Sequence, residues 1–257
     1  MALLEVRGLT KVFGGLTAVK DVSFEVEKGE IVSVIGPNGA GKTTTFSMVT
    51  GLVKPTQGKV TFDNMDITGW EAYKVASLGL VTTFQKTKVF PTLTVEEAVM
   101  VGTHRKHKTT PLDILLRNKK FYSELEQSKK KVTEILEYTR LADKKNFMCA
   151  ELSYGEQRVL EIAVAMATEP KLLLLDEPTA GLNHTESKNL MNMIYGLRDS
   201  GVTILLIEHD MNLVMKISDH VVVLNFGEKL CFGTPQEVSS NENVIEAYLG
   251  SGEEDDD

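Results

Sequence analysis

The sequence predicts an α/β fold: a mainly parallel sheet covered by helices, with an antiparallel β layer ahead of it and a helical subdomain inserted in it. Three observations carry this. The β-branched run Ile31-Val32-Ser33-Val34-Ile35 and the aliphatic run Leu172-Leu173-Leu174-Leu175 alternate with stretches of helical spacing, the pattern of strands buried on both faces of a sheet. Residues 1–30 instead alternate apolar with polar, as in Leu4, Val6 and then Val22, Phe24, Val26, which suits half-exposed antiparallel strands. From 95 to about 145 turn signals thin out, and Val132, Ile135, Leu136 and Thr139 fall at helical spacing among many Lys and Glu.

Taken in order, the first strands are expected to meet at Lys28-Gly29-Glu30. The β-branched run 31–35 gives a strand, a Gly-rich loop follows, and 43–52 reads as a helix. After the mostly helical lobe come a helix over 155–168, a strand over 171–175, a helix over 184–200 and a strand over 202–207. Residues 221–234 read as a hairpin turning at Phe226-Gly227, before a short helix and an acidic tail at 251–257. The expected organisation is one domain over 1–250, with 1–94 and 151–250 forming the β layer and core and 95–150 the helical subdomain.

Composition narrows the function. With 257 residues, 42% hydrophobic and 25% charged, the chain has an ordinary globular make-up, not that of a disordered or fibrous protein. The net charge is −8, most of it in the five acidic residues 253–257, so nothing suggests a counterion-driven grip on nucleic acid. Cys149 and Cys231 are far apart in sequence, which argues against a disulfide framework or a zinc knuckle and for a reducing compartment. No apolar run approaches the roughly 20 residues of a bilayer crossing, and the first residues lack the pattern of a signal peptide. A soluble, intracellular protein is expected.

Gly36-Pro37-Asn38-Gly39-Ala40-Gly41-Lys42-Thr43 matches the P-loop pattern and stands between a buried strand and a helix, the context the pattern requires. Its glycines let backbone N–H groups wrap a phosphate, and the helix start adds a positive dipole end. Lys42 is placed to neutralise the β and γ phosphates, the Thr43 hydroxyl to take a position on Mg²⁺, and Thr44 to complete the nucleotide site. The strand 172–175 ends in Asp176-Glu177-Pro178, where charge is costly unless it meets a cation or acts in chemistry. Asp176 is assigned to the metal, through water, and Glu177 to orienting and deprotonating the attacking water. The strand 202–207 ends in Glu208-His209-Asp210. In open α/β sheets ligands sit at the carboxyl ends of strands, so three strands deliver these groups to one edge. There His209 either donates to the γ phosphate or fixes the catalytic water; a surface or satisfied core histidine is the bland alternative. Leu152-Ser153-Tyr154-Gly155-Glu156-Gln157 precedes an apolar helix, and Ser153 with Glu156 has capping-box spacing. It reads either as a well-capped helix or as a second phosphate site, because Gly155 leaves free N–H groups open to an anion.

In number and order these motifs, with Gln85 after the strand Val81-Thr82-Thr83-Phe84, resemble the ATP-binding cassette (ABC) ATPases from Phe13 to His209. The resemblance implies a P-loop NTPase core in ABC architecture and a head-to-tail dimer, in which Ser153 and Gly155 of one subunit close on ATP held by the P-loop of the other. It also implies that Phe13 stacks on adenine, although Phe13 reads equally as core of the β layer, and that Gln85 touches the metal. A narrower resemblance runs through Phe13-Gly14-Gly15-Leu16, Ala180-Gly181-Leu182-Asn183, Ile207-Glu208-His209-Asp210-Met211 and the ending from Gly233-Thr234-Pro235 to Tyr248-Leu249-Gly250. These look like the ATPase of branched-chain amino-acid importers, with Asn183 where Asp is usual in the wider superfamily.

The function this implies is a motor subunit that hydrolyses ATP with Mg²⁺ and drives transport of branched-chain or other hydrophobic amino acids. Implied partners are a second ABC ATPase subunit, identical or related, transmembrane permease subunits and, through them, an extracytoplasmic substrate-binding protein, with no nucleic acid. The implied location is cytoplasmic, peripheral on the inner face of the plasma membrane. Phe90-Pro91-Thr92-Leu93 is an apolar docking candidate or lobe core. A lipopolysaccharide-type exporter ATPase shares the catalytic motifs, and a non-transport scaffold such as an iron–sulfur assembly ATPase is the alternative of another class.

Overall fold

The computed structural model describes residues 2–83, 90–104, 113 and 118–249. They fall into two compact units, one of residues 1–82, 171–180 and 191–257, the other of residues 83–170 and 181–190.

The first unit holds two sheets. In the four-stranded one, β1 (Ala2–Phe13) lies between β2 (Leu16–Glu27) and β4 (Gln57–Phe62), with the short β5 (Met65–Asp66) at the edge. All its pairings are antiparallel. The β1–β2 turn is at Gly14-Gly15, whose φ angles of 51° and 103° only glycine adopts without strain. The expectation that these strands meet at Lys28-Gly29-Glu30 is therefore corrected: that turn carries the chain from β2 into β3 (Ile31–Ile35), which pairs with neither β1 nor β2. Both sites offer a glycine, and the hydrophobic alternation does not say which turn closes the hairpin.

The second sheet has the order β10-β9-β3-β8-β7-β6. Here β6 is Leu80–Thr82, β7 Leu172–Asp176, β8 Thr203–Ile207, β9 His220–Asn225 and β10 Glu228–Gly233. The pairings from β9 to β6 are parallel, and β10 folds back antiparallel on β9 through Phe226-Gly227. Every residue of β3 and β8 is buried, which is why both strands are apolar apart from Ser33 and Thr203. Helix α1 (Lys42–Val49) adds Phe46, Met48 and Val49 to a core shared by Leu4, Val6, Phe24 and Val26 of the antiparallel sheet and Val32, Leu172 and Leu205 of the parallel one. At the end of the chain α8 (Pro235–Ser239) and α9 (Glu242–Leu249) pack Val238, Val244 and Tyr248 around Ile35, Val221 and Val223. Between β5 and β8 lie α2 (Ala72–Leu78) and, split between the two units, α6 (His184–Asp199); α7 (Met211–Ile217) follows β8.

The second unit packs α3 (Val95–Thr103), α4 (Lys119–Tyr138) and α5 (Tyr154–Ala167) around Val99, Val132, Ile135, Leu136, Leu160 and Ala163. The helical spacing of Val132, Ile135 and Leu136 thus marks the buried stripe of α4. No helix among the described residues is long and apolar enough to cross a membrane.

Candidate functional site

The Gly36–Thr43 loop leaves the C-terminal end of β3 and enters α1. A β-carbon on Gly36 would lie 2.1 Å from the Leu224 carbonyl oxygen at the end of β9, so the backbone can take this path only without a side chain. The loop is further tied to the β9–β10 turn, where the Gly227 N–H donates to the Ala40 carbonyl at 3.2 Å. Beneath it, burial pushes the Tyr248 phenol up to about 12, opposed by a hydrogen bond with the Gly36 backbone. Gly41, at the N-cap of α1, has no side chain to satisfy the first-turn N–H groups, and these are the donors a phosphate takes. Lys42 is only 8% exposed, and its ammonium donates to the carbonyls of Gly36 at 2.6 Å and Pro37 at 3.0 Å. Burial lowers its pKa below the ordinary lysine value, opposed by the carboxylates of Glu177 and then Asp176. The P-loop lysine and the two strand-end carboxylates are therefore electrostatic neighbours, although they are far apart in sequence.

That closeness follows from strand order. β3, β8 and β7 lie side by side and run parallel, so their C-terminal ends bring Lys42, Asp176, Glu177, Glu208 and His209 to one edge of the sheet. Asp176 pairs in register with Ile207, and the Glu177 N–H donates to the Ile207 carbonyl at 3.0 Å. Glu177 sits at φ 47°, a left-handed conformation that a non-glycine residue holds only when its surroundings impose it. His209 is exposed. Thr43 is exposed at the start of α1 and Thr44 is half-buried. Thr43 offers a hydroxyl and Asp176 a carboxylate, oxygen donors of the kind a hard divalent cation takes. Phe13 ends β1 beside the Gly14-Gly15 turn, 47% exposed, with the Lys11 ammonium 4.8 Å from its ring centre. That ring is open to stacking and is not core of the β layer. Gln85 lies outside the described residues.

In the second unit, Ser153 caps α5 through a complete capping box: its hydroxyl accepts from the Glu156 N–H, and Glu156 accepts from the Ser153 N–H at 3.0 Å. Glu156 also meets the Lys144 ammonium, which with Ser153 holds its carboxyl below the usual range against the opposing effect of burial. The Gln157 amide donates to the Leu152 carbonyl at 3.0 Å, and the Tyr154 hydroxyl accepts from Arg158 at 2.8 Å. A side chain on Gly155 would press on the Glu186 carboxylate, 3.1 Å from its β-carbon. Asn183 accepts from the N–H groups of Thr185 and Glu186 at 3.0 Å each through its side-chain oxygen. An aspartate there would cap α6 by the same oxygen.

Sequence reasoning passed over one pair. Glu208 is fully buried, and one of its carboxylate oxygens accepts from both the N–H and the hydroxyl of Thr179. A charged residue immediately after the apolar run of β8 was the only local signal.

Known proteins give this geometry a family. The ABC transporter model matches residues 19–180, and a model described as branched-chain amino acid ATP-binding cassette transporter matches residues 228–254. The high-affinity branched-chain amino acid transport ATP-binding protein BraF of Pseudomonas aeruginosa is 46% identical over 96% of this chain and 98% of its own. Its counterpart LivG of Escherichia coli K12 is 45% identical over the same shares. Among solved structures, an ATP-binding cassette of an ABC transporter in its ADP conformation superposes with a TM-score of 0.84 at 33% identity, covering 97% of this chain and 99% of that one. The chain therefore belongs to the ABC transporter family, as one of its ATP-binding and ATP-hydrolysing subunits.

Proposed function

We propose that this subunit energises transport of branched-chain or closely related apolar amino acids, with Glu177 as the base of its ATPase reaction. The observation that carries the catalytic part is the strand order, which brings the loop after β3 that carries Lys42 and the end of β7 that carries Asp176 and Glu177 to one edge of the sheet with only β8 between them. Phe13 stacks on adenine, while the loop 36–43 with Lys42 and Thr44 holds the phosphates. Thr43, Asp176 and Gln85 are the ligands assigned to Mg²⁺, which when bound neutralises phosphate charge. Glu177 accepts a proton from water as the water oxygen attacks the γ phosphorus; the bond to the β–γ bridging oxygen breaks, and ADP and phosphate leave. His209 orients the attacking water or donates to the γ phosphate.

The transport part rests on the relatives. BraF of Pseudomonas aeruginosa and LivG of Salmonella typhimurium, each 46% identical, are high-affinity branched-chain amino acid transport ATP-binding proteins, and residues 228–254 match the corresponding family model. A cassette 25% identical to this chain was solved as a dimer, with a TM-score of 0.76, which supports the reading that residues 153–157 complete a partner's ATP site in trans. The proposed partners are membrane permease subunits, reached through the exposed Phe90 and its neighbours, and beyond them an extracytoplasmic binding protein. The proposed location is the inner face of the membrane.

Glu177→Gln keeps shape and hydrogen bonding but removes the base, so turnover should fall by about 10²- to 10⁴-fold while equilibrium ATP binding persists. Normal steady-state hydrolysis by that variant would remove Glu177 from its role.

A further inference from the structure

We propose that Glu208 is a positioning residue that fixes the catalytic turn after β7 to the end of β8, setting Glu177 and His209 in one frame. The inference rests on the reading of Glu177 as the base. Two consecutive residues of β8's end hold the turn. The Ile207 carbonyl accepts from the Glu177 N–H at 3.0 Å, and the Glu208 carboxylate accepts from the Thr179 N–H at 3.1 Å and from the Thr179 hydroxyl. The second carboxylate oxygen accepts from the His209 N–H at 3.2 Å, with the His209 ring nitrogen Nδ1 3.8 Å away. Glu208 is 0% exposed and Thr179 7%.

Burying a carboxylate is unfavourable even when it is hydrogen-bonded, and an apolar side chain would stabilise such a site at least as well. What an apolar side chain cannot do is hold a backbone N–H on each side of the strand end. Glu177, the first anchored residue, stands in a left-handed conformation that is uncommon for a non-glycine residue, with a hydrogen bond to the end of β8 at its own N–H and another two residues on. Releasing Thr179 frees Glu177 to relax and moves its carboxylate off the attacking water.

The test uses the full chain, comparing kcat, ATP affinity and thermal midpoint. Glu208→Gln sets an amide donor against an N–H, and kcat should fall by about 10- to 100-fold, the scale of a catalytic group displaced by an ångström, while ATP affinity stays within about threefold. Thr179→Val should lower kcat in the same way and Thr179→Ser should restore it, because serine keeps the hydroxyl. Thr179→Val keeps the backbone N–H bond to Glu208 and loses only the hydroxyl one, so in the double variant Glu208→Gln/Thr179→Val the two effects should combine to less than their product, both acting on the same contact. If Glu208→Gln does not fold, the Thr179 pair decides alone. A Glu208→Gln kcat within twofold of wild type, or Thr179→Ser as slow as Thr179→Val, overturns the proposal. Measured alongside, Glu177→Gln separates the two ideas: if it is inactive while Glu208→Gln is not, only the role of Glu208 falls. If Glu177→Gln turns over normally, both fall.

Discussion

Lys42 shows how far the chain itself shapes the phosphate site. Its ammonium is largely shielded from water and held by two carbonyls of its own loop, so its charge is fixed in place and partly desolvated. Lys42→Ala removes that charge and the brace across the loop. ATP affinity should drop by at least about tenfold, a charged hydrogen bond being worth more than about 1.4 kcal/mol; unchanged affinity in a direct binding titration would sink the phosphate-cradle reading. At this scale the sequence was most legible where polar residues interrupt apolar ones, because burial makes such residues conspicuous. Asp176, Glu177 and His209 all follow aliphatic strands. Thr179 and Glu208 were not legible as a pair, since they are 29 residues apart and only the register of β7 against β8 brings them together.

At the scale of elements, the parallel strands could be read off directly, being apolar on both faces, while β4 and β5 were missed. β4 opens with Gln57, Gly58 and Lys59, all exposed, so its apolar signal reduces to Val60 and Phe62. The misplaced hairpin turn has a similar cause: a glycine marks where the chain bends but not which strands then pair. Helix α5 carries the most consequential ambiguity, because a capping box and a phosphate site use the same Ser153. The cap is present. Its second use can be tested with a pair of variants. Ser153→Arg blocks the helix end to a partner's phosphate, and Lys42→Ala disables a chain's own loop. Mixed, they leave one composite site intact, so hydrolysis should reappear in heterodimers although neither variant is active alone. Activity that never exceeds that of the separate variants would show that the sites are not shared.

For the whole molecule, the proposed sharing of ATP sites would make nucleotide binding and subunit association draw on one free energy. The hydrolysis rate should therefore rise faster than the first power of protein concentration in the dilute range, and strict proportionality down to the lowest measurable concentration would contradict it. Composition read only as an ordinary globular chain, and the class of molecule came from the order of the motifs along it; of these, Gln85 lies outside the described residues. Within the second unit one small stitch has a larger consequence. The Cys149 N–H donates to Leu93 at 2.9 Å, the Val95 N–H donates to Phe147 at 3.0 Å, and Thr94 bridges Met148 between them. From Cys149 a single 3-10 turn, Cys149–Glu151, leads to Ser153. The backbone at Leu93–Val95 is thus laced to the segment that runs into the N-cap of α5, so the apolar stretch after Phe90 and the Ser153 end of the helix share one short hydrogen-bonded frame.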